Sequence, residues 1–158
     1  MSSDLPLFGF ESIVIPKSID RFSGGLCMES AKYIYYKGTI EDWFNIKCFY
    51  RDYNPMYYAE HFFMLNDKNE WYEVTEIIIP STVSTIDTLM CGFDYVTKIF
   101  IPASVKRIMY NAFMGCERAT IYCEVSSIPN DFIGRNAWDE EWNPLNRPVV
   151  WNYSLDEN

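Results

Sequence analysis

The residue types that most often carry enzyme chemistry are sparse in this sequence, and their spacing forms no catalytic motif. His61 is the sole histidine and lies beside aromatic residues in Glu60-His-Phe-Phe63. The sequence contains no G-x-S-x-G, H-E-x-x-H, P-loop or glycine-rich dinucleotide-binding motif. The acidic runs Glu41-Asp42 and Asp139-Glu140-Glu141 place carboxylates next to each other in sequence, which does not direct them onto one substrate. We therefore predict no enzymatic activity, no catalytic residue and no cofactor.

The cysteines and acidic residues show no metal-binding pattern either. None of the five cysteines forms a C-x-x-C pair, a single histidine is too few for the usual zinc ligand sets, and no EF-hand loop is present. An odd number of cysteines leaves at least one thiol unpaired within a monomer. We predict no metal site, and we interpret the cysteines as buried structural thiols. They are Cys27, Cys48, Cys91, Cys116 and Cys123.

A short apolar motif occurs three times along the chain. It reads Ile13-Val-Ile-Pro16, Ile77-Ile-Ile-Pro80 and Ile99-Phe-Ile-Pro102, and the last two copies begin 22 residues apart. A period in the twenties is typical of stacked coils, each too small to bury its own apolar face. Alternation within a strand sends both isoleucines to one face, and proline, which lacks an N–H donor, suits the end of the strand. Apolar residues three apart, Val83 with Ile86 and Val105 with Ile108, follow the last two copies, which suits a helical or 3₁₀ arc.

The remaining segments are predicted to expand or cap this stack. Thr39 followed by Asp42 predicts a capped helix, and Phe62-Phe-Met-Leu65 predicts a strand that ends in a loop. Aromatic residues and prolines after Cys123 suit a cap on the open end of the stack. We predict a single domain, residues 1–158, divided into an N-terminal cap at 1–12, a first repeat at 13–36, an expanded coil at 37–73, two regular repeats at 74–123 and a C-terminal cap at 124–158.

Several longer motifs accompany the Ile-Pro-x-Ser/Thr-Val-x-x-Ile pattern. They are Asn111-Ala-Phe-Met-Gly-Cys116, Tyr35-Tyr-Lys-Gly-Thr39, and the ending Trp142-Asn-Pro144 with Pro148-Val-Val-Trp151. With these motifs the chain resembles the BspA-like family of bacterial leucine-rich repeats over nearly its whole length. The resemblance implies an α/β repeat, namely a short curved leucine-rich-repeat solenoid with a parallel sheet on one face, short helical or 3₁₀ arcs on the other, and a C-terminal cap. It also implies a cell-surface or secreted protein that binds protein ligands and catalyses no reaction.

The strand residues between the inward isoleucines point to the opposite face of the sheet. Because neighbouring strands lie about 4.8 Å apart, these side chains are predicted to form an exposed apolar row that binds a protein partner, framed by Lys98 and Glu76. Polar side chains are usual on an open sheet face. The alternatives are that the long insert, the segment Leu5–Phe10 or a second copy of the chain covers the row. This outward row is Val14, Tyr35, Ile78, Phe100 and Tyr122, with one further residue from Phe62–Met64.

The overall charge and hydropathy favour some partners and argue against others. With 158 residues, a net charge of −9 and a pI near 4.5, the chain lacks the cationic face that phosphate contacts need, so we predict no nucleic-acid binding. No secretory signal is recognisable in Met1–Phe8 and no apolar run reaches 18 residues. As it stands the chain is therefore expected to be cytoplasmic and not inserted in a membrane, whereas the family resemblance suggests the cell surface or secretion.

These observations leave one leading function and two alternatives. The leading prediction is a non-enzymatic protein-binding module that uses the exposed sheet face, and self-association through that face is a further prediction. The acidic balance gives the first alternative, an intracellular inhibitor encoded by a phage or mobile element that occludes a basic site on another protein. The minor alternative is a carbohydrate-binding or carbohydrate-active protein with tyrosines and tryptophans as sugar platforms.

Overall fold

The chain forms an α/β fold made of short, mainly parallel strands with few helical turns. The computed structural model describes residues 11–23, 30–48, 50–87, 90, 92–131 and 133–155. Among the helical elements whose full bounds lie within the described residues are α1 (Ile40–Phe44) and two 3₁₀ turns at Arg51–Tyr53 and Pro55–Tyr57. The strands are β1 (Ser12–Ile15), β2 (Arg21–Phe22), β3 (Tyr33–Tyr36), β4 (Lys47–Cys48), β5 (His61–Leu65), β6 (Trp71–Glu73), β7 (Glu76–Ile78), β8 (Thr85–Ile86), β9 (Lys98–Ile101), β10 (Arg107–Ile108), β11 (Thr120–Cys123) and β12 (Val149–Val150).

The described strands are arranged in two four-stranded and two two-stranded sheets. The larger sheets have the strand orders β1-β3-β5-β6 and β12-β11-β9-β7, and the smaller ones pair β2 with β4 and β8 with β10. The strands of every described pair are parallel except those of β5 and β6. The predicted α/β class with parallel sheets is thus confirmed at this level. The finer expectation, a curved leucine-rich-repeat solenoid, stays a prediction.

Alternation along the strands places the core on one side of each large sheet. In β9 the side chains of Ile99 and Ile101 are buried, and Ile99 pairs with Ile77 on β7 and Ile121 on β11. Buried residues of both large sheets belong to one hydrophobic core. Its aromatic centre joins α1 to both halves of the chain, because the rings of Trp43, Phe62 and Phe93 lie 4.8–6.2 Å apart.

Helix α1 begins at the predicted capping residue. The Thr39 hydroxyl accepts a hydrogen bond from the Asp42 backbone N–H at 3.1 Å, and the Thr39 N–H donates to the Asp42 carboxylate at 2.8 Å. The Thr39 backbone N–H and then its hydroxyl lower the pKa of Asp42. This reciprocal cap fixes a five-residue helix that would not be stable alone, and burial of Trp43 holds it against the core.

The predicted strand and loop after residue 61 are present, but the chain then returns as an antiparallel strand. Phe63 pairs with Glu73 and Leu65 with Trp71. The side chain of Asn66 accepts hydrogen bonds from the N–H groups of Lys68 and Glu70, each at 2.9 Å, and this closes the hairpin. The segment that was predicted as an expanded coil therefore contains a β-hairpin, which the apolar repeat pattern did not indicate.

The C-terminal segment covers one end of the core and adds a strand. Trp138 and Trp142 are buried with their ring centroids 5.1 Å apart, and Trp138 forms a parallel bridge with Ile108. Beyond them, β12 pairs in parallel with β11. The segment thus packs two tryptophans into the core and extends the second sheet, while its role as the cap of a repeat stack stays a prediction.

Three of the five cysteines lie in the described part of the chain, and all three are buried. They are Cys48, Cys116 and Cys123. Burial raises the pKa of the Cys123 thiol to about 12, which keeps it protonated and unreactive at neutral pH. Cys27 and Cys91, like the segment Leu5–Phe10 and most of the predicted N-terminal cap, lie outside the described residues.

Candidate interaction surface on the sheet face

The parallel registers align the outward row, but they divide it between two sheets. In the first sheet Val14 pairs with Tyr35, and Tyr35 pairs with Phe63. In the second sheet Ile78 pairs with Phe100, and Phe100 pairs with Tyr122. Because β6 occupies the edge of the first sheet beside β5, the expected single file across one sheet is wrong. Phe63 is the additional residue expected between Phe62 and Met64, since both of those are buried.

The first half of the outward row is an apolar surface open to solvent. Val14 is 56% exposed, and Tyr35 and Phe63 are half-buried. The rings of Tyr35 and Phe63 stack at 4.8 Å with only 15° between their planes, and the exposed Trp71 meets Tyr35 edge-on at 5.1 Å. The stacked rings cover each other's faces and fix each other's orientation. This half therefore presents a preformed aromatic surface made of Tyr35, Phe63 and Trp71.

The second half of the outward row is largely covered, which corrects the expectation for Phe100. Phe100 was predicted to be exposed, but it is only 7% exposed. The ring of Tyr153 lies 5.4 Å from that of Phe100 and 4.7 Å from that of Tyr122. Tyr122 is half-buried and stacks on Phe100 at 5.0 Å, whereas Ile78 stays 52% exposed at the far strand. The cover is the C-terminal segment, which the sequence had not suggested for this role.

The position of Tyr153 follows from the backbone beyond β12. Asn152 adopts a left-handed φ of 57°, a conformation that asparagine tolerates better than most residues. The N–H of Tyr153 then donates to the carbonyl of Cys123 at 2.9 Å. This bond fixes the tail beside β11, so that the Tyr153 ring packs on the outward side of the sheet.

The charged frame predicted beside the row is present in the second sheet. Lys98 Nζ lies 2.8 Å from the Glu76 carboxylate, and the two residues are paired across β7 and β9. The hydrogen bond to Glu76 raises the pKa of Lys98. Both side chains are about half exposed, so the pair contributes little to stability, but it places a fixed positive and negative charge at the border of the apolar surface.

A second group of stacked rings lies where strands begin, and no sequence motif indicated it. His61 stacks on Tyr33 at 4.9 Å and contacts the ring of Tyr95 at 4.1 Å, and the Arg118 guanidinium lies 4.5 Å from the Tyr95 ring. The carboxylate of Glu73 on β6 lies 2.5 Å from His61 Nδ1. His61 on β5 therefore contacts both neighbouring strands, β3 through Tyr33 and β6 through Glu73. Tyr95 and Arg118 lie outside the strands, so strand periodicity gave no signal for them.

Comparisons with known proteins give no further identification. No protein-family model, curated protein or solved structure matches this chain. Within the described residues, no helix is long and apolar enough to cross a membrane. The same part of the chain holds no group of three or more histidine, cysteine or acidic side chains arranged for a metal ion. The sheet face thus offers apolar contact, ring edges and a few fixed charges.

Proposed function

We propose that this chain is a non-enzymatic protein-binding module that holds its partner on the first half of the sheet face. It is built as a short leucine-rich-repeat solenoid of the BspA-like type. The observation that carries the proposal is the alignment of Val14, Tyr35 and Phe63 on three adjacent strands, with Trp71 beside them. A contiguous apolar patch on a small protein is a common mark of an interaction site.

The second sheet adds one residue to the proposed contact surface, and its other outward residues mainly pack against the C-terminal segment. Ile78 remains exposed and extends the proposed contact, whereas Phe100 and Tyr122 act mainly by packing with Tyr153. The repeat architecture is supported by the strand registers, since Glu76 pairs with Lys98 and Lys98 with Thr120, each 22 residues further along the chain. Ser12 pairs with Tyr33 at a spacing of 21.

The size of the patch limits how tightly it binds. Burying about 400 Å² of apolar surface contributes roughly 10 kcal/mol at 25 cal/mol per Å². Association costs about 4–15 kcal/mol in lost translational and rotational freedom. Apolar contact alone therefore gives weak binding, and charged groups at the border, such as Glu73 and the Lys98–Glu76 pair, fix the partner's orientation.

The geometry argues against a sugar platform in the stacked part of this surface. Tyr35 and Phe63 face each other at 4.8 Å, so those two ring faces are not open to a ligand. Carbohydrate recognition by aromatic residues needs an open face, and this pair presents edges instead. A protein partner, which can pack apolar side chains against ring edges and against Val14, fits the surface better.

Site-specific photo-crosslinking tests the proposal. A benzoylphenylalanine placed at position 14 or 35 is expected to capture a partner protein in cells that produce the chain, whereas the same group at position 50 is not. Tyr50 is a matched control because it is comparably exposed, at 64%, and follows β4, outside the two large sheets. Val14→Asp should abolish capture from position 35, and Tyr50→Asp should not. Equal capture at all three positions would refute a sheet-face site.

The salt dependence of the captured complex separates this proposal from an acidic inhibitor. At about 1 M salt the Debye length is about 3 Å, so attraction between exposed charges is largely screened. Binding through Val14 and Tyr35 should survive those conditions. Loss of the complex in high salt together with indifference to Val14→Asp would instead favour occlusion of a basic site by the net charge of −9.

A further inference from the structure

A broad groove lies between the small β8/β10 sheet and residues 130–131 and 135–140. Its volume is about 1080 Å³, which is ample for a ligand larger than a single ion. In the small sheet Thr85 pairs with Arg107 and both are exposed, while Ile86 pairs with Ile108 and both are buried. Strand alternation therefore directs Thr85 and Arg107 toward the groove that they line.

Two of the carboxylates that line the groove accept hydrogen bonds from other groups of the protein. Asp131 accepts hydrogen bonds from the N–H groups of Ile133 and Arg135, at 3.0 and 2.9 Å, and from Arg135 Nε at 3.2 Å. These bonds lower the pKa of Asp131 and keep it ionised. Asp139 accepts from the Glu141 N–H at 2.9 Å. Glu140 has no partner within the described part of the chain, and the second oxygen of Asp139 has none there either.

The hydrogen-bond donors of the groove are less well occupied. Arg107 has no carboxylate within salt-bridge distance among the described residues, although the protein is strongly acidic. Lys106 Nζ donates to the Ala103 carbonyl at 2.6 Å, which leaves its remaining N–H bonds available. The amides of Asn130 and Asn136 also line the groove. The groove therefore offers two cationic donors, Arg107 and Lys106, beside the two amides.

Trp138 gives a second, independent observation at the same place. Its side chain lines the groove and is only 1% exposed, yet its Nε1 has no acceptor in the described structure. The indole is held by rings of Trp142 at 5.1 Å and Trp151 at 5.9 Å. A buried N–H without an acceptor destabilises the protein, and a ligand or bridging water that supplies an acceptor removes that cost.

We propose that this groove binds an extended acidic segment of a polypeptide. A planar guanidinium such as that of Arg107 matches a carboxylate through two parallel hydrogen bonds. Asparagine amides both donate and accept, so Asn130 and Asn136 suit the peptide backbone. A compact polyphosphate fits less well, because it concentrates its charge near Asp131, Asp139 and Glu140, whereas a peptide spaces its carboxylates apart and has a backbone that matches the amides. This site does not depend on the proposed sheet-face function.

To test the proposal, random dodecapeptides displayed on phage are selected for binding to the full chain. The affinity of each recovered peptide is then measured for three variants of the protein. Arg107→Gln should weaken a set of clones enriched in aspartate and glutamate by about tenfold or more, the effect of losing one charge-assisted hydrogen bond. Glu140→Gln should tighten the same clones, because it removes the unpaired like charge. Arg21→Gln is the matched control, since Arg21 occupies the corresponding exposed position on β2.

Several outcomes would overturn the proposal, and none depends on a folding defect, because all three substituted residues are exposed. It fails if no recovered clone distinguishes Arg107→Gln from Arg21→Gln, or if the clones that do so lack acidic residues. It also fails if Glu140→Gln weakens them. Competition by millimolar pyrophosphate but not by the free acidic peptide would show a phosphate site instead of a peptide groove.

Discussion

The rings of Phe100 and Tyr153 lie 5.4 Å apart on the outward side of the second sheet, and this contact closes one half of the sheet face. Tyr153→Ala should therefore expose Phe100 and destabilise the fold by about 1–2 kcal/mol, the size of one or two lost aromatic pairs. Urea denaturation measures the loss, and increased binding of a hydrophobic dye reports the exposed ring. Unchanged stability and dye binding would show that the tail does not cover Phe100 in solution.

Gly92 is expected to tolerate no side chain. It has a φ of +87°, and a Cβ at this position would lie 1.6 Å from the Met56 carbonyl oxygen. Gly92→Ala should cost about 3 kcal/mol or more in the free energy of unfolding, because both the backbone and Met56 would have to move. Gly134→Ala separates the two causes, since Gly134 has a φ of +82° but no heavy atom within 4 Å of such a Cβ. Its expected cost is about 1–2 kcal/mol, from backbone strain alone.

The hydroxyl of Tyr36 is expected to destabilise the protein. It is buried without a hydrogen-bond partner in the described structure, and burial together with the charge of Asp42 raises the pKa of Tyr36 to about 12. Tyr36→Phe should increase the free energy of unfolding by about 1 kcal/mol, because it removes an unsatisfied polar atom and keeps the ring. Chemical denaturation at pH 7 gives the comparison.

The same substitution should also change the alkaline limit of stability. Because the folded-state pKa of Tyr36 is raised, the wild-type protein loses stability as the pH rises from about 10 toward 12. The Tyr36→Phe variant lacks this titration, so its free energy of unfolding should fall less steeply over that range. A less stable variant at pH 7 would mean that the hydroxyl has an acceptor in solution, such as an ordered water.

Asp94 should make stability depend on pH in the opposite sense to most carboxylates. Burial, followed by the charges of Glu117 and Glu60, raises its pKa, and its Oδ1 has no hydrogen-bond partner in the described part of the chain. The folded state thus binds the proton more tightly than the unfolded state. The stability that this group contributes is present below the unfolded pKa near 4 and lost as the pH rises through the folded value.

Asp94→Asn should therefore raise the melting temperature at pH 7, and the gain should shrink as the pH falls toward 4. Thermal unfolding of both proteins across that range provides the measurement. Asp67→Asn, in the exposed loop of the β5–β6 hairpin, is a control for the loss of one negative charge. A gain that grows toward acidic pH would contradict the assigned direction.

Local periodicity was sufficient to place individual side chains, but not to show what packs against them. Strand alternation correctly assigned Ile77 and Ile99 to the core and aligned Tyr35 with the residue that proved to be Phe63. It could not show that Phe100 is covered, because the cover comes from Tyr153, on a tail 53 residues further along the chain. Contacts of that kind depend on the assembled fold.

The missed features have equally specific causes. Strand β6 was hidden because Trp71-Tyr72-Glu73 carries no isoleucine repeat, and its partner β5 is reached only through the turn at Asn66. The groove was hidden because Arg107 resembles any solvated charge in the sequence. The position of Arg107 in a groove is set by two neighbours: Thr85, with which it pairs, and the buried Trp138 of the C-terminal segment.

The parallel registers also determine the length of the loop that each strand pairing closes during folding. In the second sheet Glu76 joins Lys98 and Lys98 joins Thr120, so both pairings close loops of the same length. The entropy lost on closing a loop grows only with the logarithm of its length, so successive pairings carry nearly equal costs. In the series β7, β9 and β11, each strand pairs with the next one along the chain. The second sheet can therefore grow in chain order, one strand at a time, while the polypeptide is still being synthesised.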